Sequence, residues 1–261
     1  MTMTSSRRHE SIVHHEESVM GTIVTIDVYR GDCSDNSPLE ASVEAAIAIL
    51  HDADVLFSTW KPESPISRIR RGELDIDEAP AIIREVLEQC GVARTLSGGW
   101  FDPWALPGGV DPTGLVKGWA AQRALAALHH DAIDGAIVNA AGDIASFGGP
   151  TADKKFRVGI VNPANPRSLA CIIESPGAVA TSGSYERGQH LFHPRRGIFT
   201  SSVASGTVVG PELGLADALA TALVVGGTEV LDIFERLDDF EGLVIDNEGK
   251  LHTTTGFPIV S

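Results

Sequence analysis

The chain has 261 residues, 43% of them hydrophobic and 21% charged, proportions that exclude a disordered or collagen-like protein. Lys and Arg total 20 against 35 Asp and Glu, a formal net charge of -15. A polyanionic duplex gains affinity from protein cations that displace its counterions, so this balance argues against a nucleic-acid binder. It leaves room for one small phosphorylated ligand, whose charge a metal ion or backbone amides can meet locally.

Residues 1–18 are polar, carry Arg7, Arg8 and several histidines, and lack the apolar core of a secretory signal; they are expected to form a flexible tail. Residues 19–261 are expected to form one domain. Val24, Ile26 and Val28 alternate with polar neighbours over Thr22 to Arg30, the pattern of a half-buried strand. Gly31 to Pro38 reads as a turn-rich break. Leu39 to Phe57 follows as a helix with Val43, Ala46, Ile47, Leu50 and Val55 on one stripe. After a loop over Ser58 to Pro65, a second helix fits Ala79 to Leu96, closed by Gly98 and Gly99. A third starts near Gly114 and runs to about His130. Short segments rich in β-branched residues then read as strands: Ala136–Asn139, Phe156–Val161, Leu169–Glu174, Ala178–Thr181, His190–His193, Val203–Val208 and Gly242–Asp246. Helices fit Gly214–Val225 and Glu229–Leu237. The expected fold class is a single mixed α/β (α+β) domain whose second half is mostly sheet.

Cys33, Cys90 and Cys171 are odd in number, widely separated and free of metal-ligand spacing, which points to ordinary thiols in a reducing compartment. No run of about 18 apolar residues spans a bilayer. The expected location is therefore cytoplasmic.

Three segments carry chemistry. The glycine-rich stretch Gly108–Gly118 opens a helix and holds Lys117; such turns bring backbone N–H groups close to a phosphate, but more commonly are only tight turns entering a helix. In the apolar helix Gly214–Val225 the polar side chains are Asp217 and Thr221, one turn apart on one face. They suit a hard cation such as magnesium; they equally suit local bonding, with Thr221 returned to its own helix and Asp217 capping a neighbour. Thr181-Ser182-Gly183-Ser184-Tyr185-Glu186-Arg187 is a hydroxyl-rich turn, followed by His190 and His193. A histidine titrates near neutrality and so can act as a general base, although in a strand it is more often a packed residue.

The order of these pieces resembles the FAD:protein FMN transferase (ApbE) family. The pieces are Met20-Gly21-Thr22, Phe57-Ser58-Thr59-Trp60 with Ile66-Ser67-Arg68, Phe101-Asp102-Pro103, and Asp111-Pro-Thr-Gly-Leu-Val-Lys117-Gly118. Asn139-Ala-Ala-Gly142-Asp143, Thr181 to Arg187, His190 with Pro194-Arg195, and Asp217-Ala-Leu-Ala-Thr221 complete the series. The resemblance implies a largely antiparallel sheet core flanked by helices. It also implies magnesium-dependent transfer of the FMN half of FAD onto a threonine or serine hydroxyl of a target protein, with release of AMP. By this resemblance Gly114 (through its carbonyl), Asp217 and Thr221 hold magnesium, and His190 is the base. Met20, Trp60, Phe101, Asp102, Asp111, Lys117, Asp143, Thr181 and Ser182 contact FAD. The partners implied are FAD and a flavin-accepting protein. Many members of the family are exported or lipid-anchored, but with neither an export signal nor a lipidation cysteine near its start this sequence is expected to have no membrane anchor. The sequence departs from the family's pattern at Arg70, where an asparagine is common, at Ala141 for a glycine, and at His193 and Arg196 for an aspartate and a threonine. Alternatives in view are an FAD pyrophosphatase with water as acceptor and an FAD-binding protein without catalysis.

Overall fold

The structure is a computed structural model and describes residues 13–30, 37–129, 133–151, 153–183 and 191–260. Strands β1 (Val13–Val19) and β2 (Thr22–Tyr29) form an antiparallel hairpin closed by Met20 and Gly21. The flexible tail expected over residues 1–18 is thus corrected from Val13 onward. The His-His-Glu-Glu run hides this strand because a rim strand pairs through its backbone on one side and needs no apolar row.

Helix α1 (Ser37–Phe57) follows; residues 31–36, within the expected turn-rich break, lie outside the described residues. Its buried stripe is Leu39, Val43, Ala46, Leu50, Ala53 and Phe57, whereas Val55 is 56% exposed. The 3.6-residue period carries the stripe from Leu50 to Ala53 and Phe57 and turns Val55 to water, which corrects its assignment. A short helix, α2 (Pro65–Arg70), occupies ground without an expected element; Ser64 Oγ accepts the Ser67 N–H at 3.1 Å and Pro65 takes the first turn. Then come α3 (Ala81–Leu96) and α4 (Thr113–Ala127).

The remaining elements are β3 (Gly135–Ala140), β4 (Asp143–Gly148), β5 (Arg157–Asn162), β6 (Asn165–Glu174), β7 (Ala178–Gly183), β8 (Phe192–His193), β9 (Ile198–Phe199) and β10 (Ser205–Gly210). After them lie α5 (Leu213–Gly226), α6 (Thr228–Phe234), β11 (Glu241–Ile245), β12 (Leu251–Thr253) and β13 (Ile259–Val260). Eight strands form one sheet in the order β1-β2-β3-β4-β7-β10-β11-β12, antiparallel throughout. The mixed α/β architecture with an antiparallel core is therefore as expected.

Alternation along the strands sorts side chains to two faces. Val24, Ile26, Val28, Ala180, Val208 and Val244 join the helices in the main core. Their neighbours Val179, Val209, Leu243 and Ile245 face the other way, onto Val158, Ile160 and Ile173 of the three-stranded sheet β13-β6-β5. The large sheet is thus the middle layer. Helix α5 lies against it, buried along almost its whole length, as a helix apolar all round must be.

Candidate functional site

The crossing of α4 and α5 sets the geometry. Gly118 lies where the two helices meet: a Cβ there would fall 2.5 Å from the Leu213 carbonyl oxygen and 3.1 Å from Asp217 Cβ. With no side chain in the way, the Gly118 N–H donates to Asp217 Oδ2 at 3.3 Å. Asp217 is almost fully buried, 4% exposed. One turn on, Thr221 points to the same corner: its Oγ1 is 3.4 Å from Ser182 Oγ of β7 and 3.8 Å from where a Gly114 Cβ would sit. Gly114, Ser182, Asp217 and Thr221 are thereby gathered from three elements.

The chemistry of this donor set fits a hard cation, because a carboxylate, a hydroxyl and a backbone carbonyl are all oxygen ligands. Among the described residues no group of three or more His, Cys, Asp or Glu side chains is arranged to hold a metal ion. At this corner Asp217 is the carboxylate that the α4–α5 crossing supplies, and magnesium usually completes its shell with water and substrate phosphate.

Beside it lies a buried ion pair. Asp143, the first residue of β4, has a fully buried side chain paired with Lys117 Nζ of α4. Its other oxygen accepts the Thr181 N–H at 3.0 Å, and Thr181 Oγ1 is 2.9 Å from Thr207 Oγ1 on β10. The β4–β7 ladder pairs Ile144 with Val179 and Ala145 with Ala178, so the Asp143 carboxylate extends that ladder by one side-chain bond. Thr181, Ser182 and Gly183 belong to β7 itself, which corrects the expected turn beginning at Thr181. The connection is tight at Ala141, a non-glycine residue with φ +54°, and at Gly142, whose N–H donates to Asn139 Oδ1 at 2.7 Å.

The remaining expected contacts surround this centre unevenly. Phe101 is buried, and its ring comes 3.2 Å from the Gly114 Cβ position. Asp102 pairs with Arg94 at 2.9 Å, and Asp111 caps the start of α4 by accepting the Thr113 N–H at 3.0 Å. Met20 packs partly against the main core, while Trp60 is 93% exposed, its ring presented to solvent. His190 and residues 184–187 lie outside the described residues. His193 is buried against Trp100, ring centroids 5.1 Å apart, and Arg195 lies over the same indole at 4.7 Å. Burial, then Arg196 and Arg195, push the His193 imidazole below its ordinary value of 6.5, so it is neutral at physiological pH.

Sequence reasoning missed the Gly118–Asp217 hydrogen bond, the Lys117–Asp143 pairing and the Arg70 contacts described below. Gly118 in the interior of a helix was the available signal for the first, since such a glycine often has a packing reason.

The sequence profile of the ApbE family matches residues 20–108 and 106–244. The chain belongs to the ApbE family. The FAD:protein FMN transferase of Rhodobacter capsulatus is 33% identical over 129 residues, 46% of this chain and 24% of that protein; the match spans about a quarter of that relative's length. The flavin transferase ApbE from Vibrio cholerae superposes with a TM-score of 0.78 at 21% identity, covering 94% of this chain and 97% of the other. The ApbE protein from Thermotoga maritima gives 0.81 at 20% identity, covering 93% and 97%. At these identities the structural likeness establishes the fold. No helix among the described residues is long and apolar enough to cross a membrane.

Proposed function

We propose that the protein is an enzyme that transfers the FMN half of FAD onto a threonine or serine hydroxyl of an acceptor protein, releasing AMP, with magnesium as the resident ion. The observation that carries this reading is the convergence of Gly114, Ser182, Asp217 and Thr221 at the α4–α5 crossing, in a member of the ApbE family. The names of the related proteins support the choice of FAD and a protein acceptor.

Asp217, Thr221 and the Gly114 carbonyl would hold magnesium, which when bound supplies Lewis-acid neutralisation of pyrophosphate charge. Lys117 pairs with Asp143 in the interior, and Asp143 in turn fixes the β7 end that bears Thr181 and Ser182. Phe101, Met20 and the exposed Trp60 offer apolar contacts to the flat rings of the dinucleotide, which binds without net positive charge on the protein. Asp102 and Asp111 border the same loops. His190 is assigned as the base. The acceptor oxygen attacks the phosphorus of the FMN half, its proton passes to His190, and the bond to the bridging oxygen breaks. AMP leaves with that oxygen. A positioned base of this kind contributes roughly 100- to 10,000-fold. The reading also places the enzyme in the cytoplasm; Cys90 and Cys171 are free thiols, and burial pushes Cys90 up to about 12, where it is unreactive.

The test mixes purified protein, FAD, magnesium and an acceptor carrying an attachment threonine. A fluorescent band that survives a denaturing gel supports the proposal; free FMN and AMP without a band assign hydrolysis instead; neither product leaves a binding protein. Asp217→Ala is expected to lower turnover by about 100-fold or more and to weaken magnesium binding, read by calorimetry, with the circular dichroism spectrum retained.

A further inference from the structure

The turn that leads into α4 is bracketed by Pro107 and Pro112, and the Asp111 N–H donates to the Pro103 carbonyl at 3.0 Å, but its middle rests on two glycines. Gly108 and Gly109 adopt φ of +86° and +101°, conformations that glycine enters freely and leaves as freely. The side chain that grips this middle is Arg70, the last residue of α2. Its Nη1 donates to the carbonyls of Gly109 at 3.1 Å and Val110 at 3.0 Å, and its Nη2 donates to the Pro107 carbonyl at 3.3 Å. Nη1 also lies 3.4 Å from Asp111 Oδ2, with 18% and 15% of the two side chains exposed. The turn wraps the arginine closely: a Cβ at Gly109 would come 3.3 Å from the Arg70 backbone, and one at Gly108 would come 3.1 Å from Nη2.

The path continues into the helix. Asp111 Oδ1 accepts both the N–H and the hydroxyl of Thr113, at 3.0 Å and 2.6 Å, and Gly114 follows directly. A planar guanidinium fork can serve several carbonyls and a carboxylate at once; an ammonium is a single point, and an asparagine is too short to reach across the turn.

We infer that Arg70 is a positioning residue, fixing the turn 107–111 and through it the Asp111–Gly114 end of α4 in the shape that receives FAD. The inference rests on the reading of this corner as the FAD site. It assigns a task to a residue at which the chain departs from its family's usual pattern.

The test compares the full-length protein with R70A and R70K by two readouts: hydrogen exchange of the amides between Gly108 and Gly114, and FAD affinity by flavin fluorescence. R70A should exchange about tenfold faster in that window and bind FAD about tenfold more weakly, with the rest of the exchange map unchanged. R70K should fall between R70A and the unaltered protein, and it carries both readouts if R70A does not fold. Unchanged exchange, or faster exchange with unaltered FAD affinity, overturns the inference. An unaltered protein that fails to bind FAD overturns the functional reading instead, while the exchange measurement still reports whether Arg70 holds the turn.

Discussion

Lys117 with Asp143, and Glu17 with His15 and His51, use the same kinds of group in opposite settings. Asp143 has no exposed side-chain surface and Lys117 has 24%. Glu17 accepts from His15 at 3.0 Å and His51 at 2.9 Å, tying β1 to α1, but His51 is half exposed and His15 a third. In water such pairs gain little, because solvent screens the attraction and ordering two side chains costs entropy. In the interior the balance changes: removing one partner leaves the other's charge far from water and without its counter-ion. The inner pair is therefore a condition of folding around the site, and the outer trio an adjustment at its margin.

Lys117→Met probes this difference most severely. It should destabilise the protein by about 3 kcal/mol, read by urea denaturation, because it leaves the Asp143 carboxylate buried without its cation; a loss no larger than that of His51→Gln would erase the distinction. Gly118→Ala comes next. Its methyl group meets the Leu213 carbonyl across the α4–α5 crossing, and overpacking of this kind should cost about 2 kcal/mol in a thermal melt. The two β-turns sharpen the comparison in the stabilising direction. Met20 and Ala141 both have positive φ, +53° and +54°, and Ala141→Gly should relieve strain for a net gain of about 0.5 kcal/mol after the entropy of the added glycine is counted.

The smallest effect belongs to the outer cluster and depends on pH. His14 donates from Nδ1 to Asp27 at 2.8 Å, and that hydrogen bond, the Asp27 charge and Glu16 raise its imidazole above 6.5. A group raised on folding contributes fully below its unfolded value and loses the contribution as pH rises through the folded one. The melting difference between the protein and His14→Gln should thus be widest below pH 6.5 and close with increasing pH. Glu17 runs the other way: hydrogen bonds from His15 and His51 lower its carboxyl below 4.5, so its contribution holds above that value and fades in acid.

Much of the fold was legible because its cues are periodic. The stripe through Val43, Ala46 and Leu50 announced α1, and the apolar run around Asp217 announced α5. The hidden elements lack such cues. β1 has only Val13 and Val19 on its core side, with His15 and Glu17 between them; α2 is marked only by its Ser64 cap and Pro65, and β4 shows few strongly apolar residues in Asp-Ile-Ala-Ser-Phe-Gly. At the site, the one-turn spacing of Asp217 and Thr221 was readable, since a helix fixes which of its residues share a face. Their meeting with Gly114 and Ser182 was not, because that depends on how α4 crosses α5 and on how the sheet orders β7. Trp60 shows a further limit: its motif was recognisable, its exposure was not.

The placement of β1 at the rim of the eight-stranded sheet has a colloidal consequence. An outermost strand with open backbone groups invites a second molecule to zip onto it, the first step toward fibrils. Among the described residues β1 is outermost, and that approach would press the exposed carboxylate of Glu16 toward that of another copy, between chains that each carry a formal charge of -15. Self-recruitment at this border is repelled at neutral pH, and the guard weakens under acidic conditions that neutralise carboxylates.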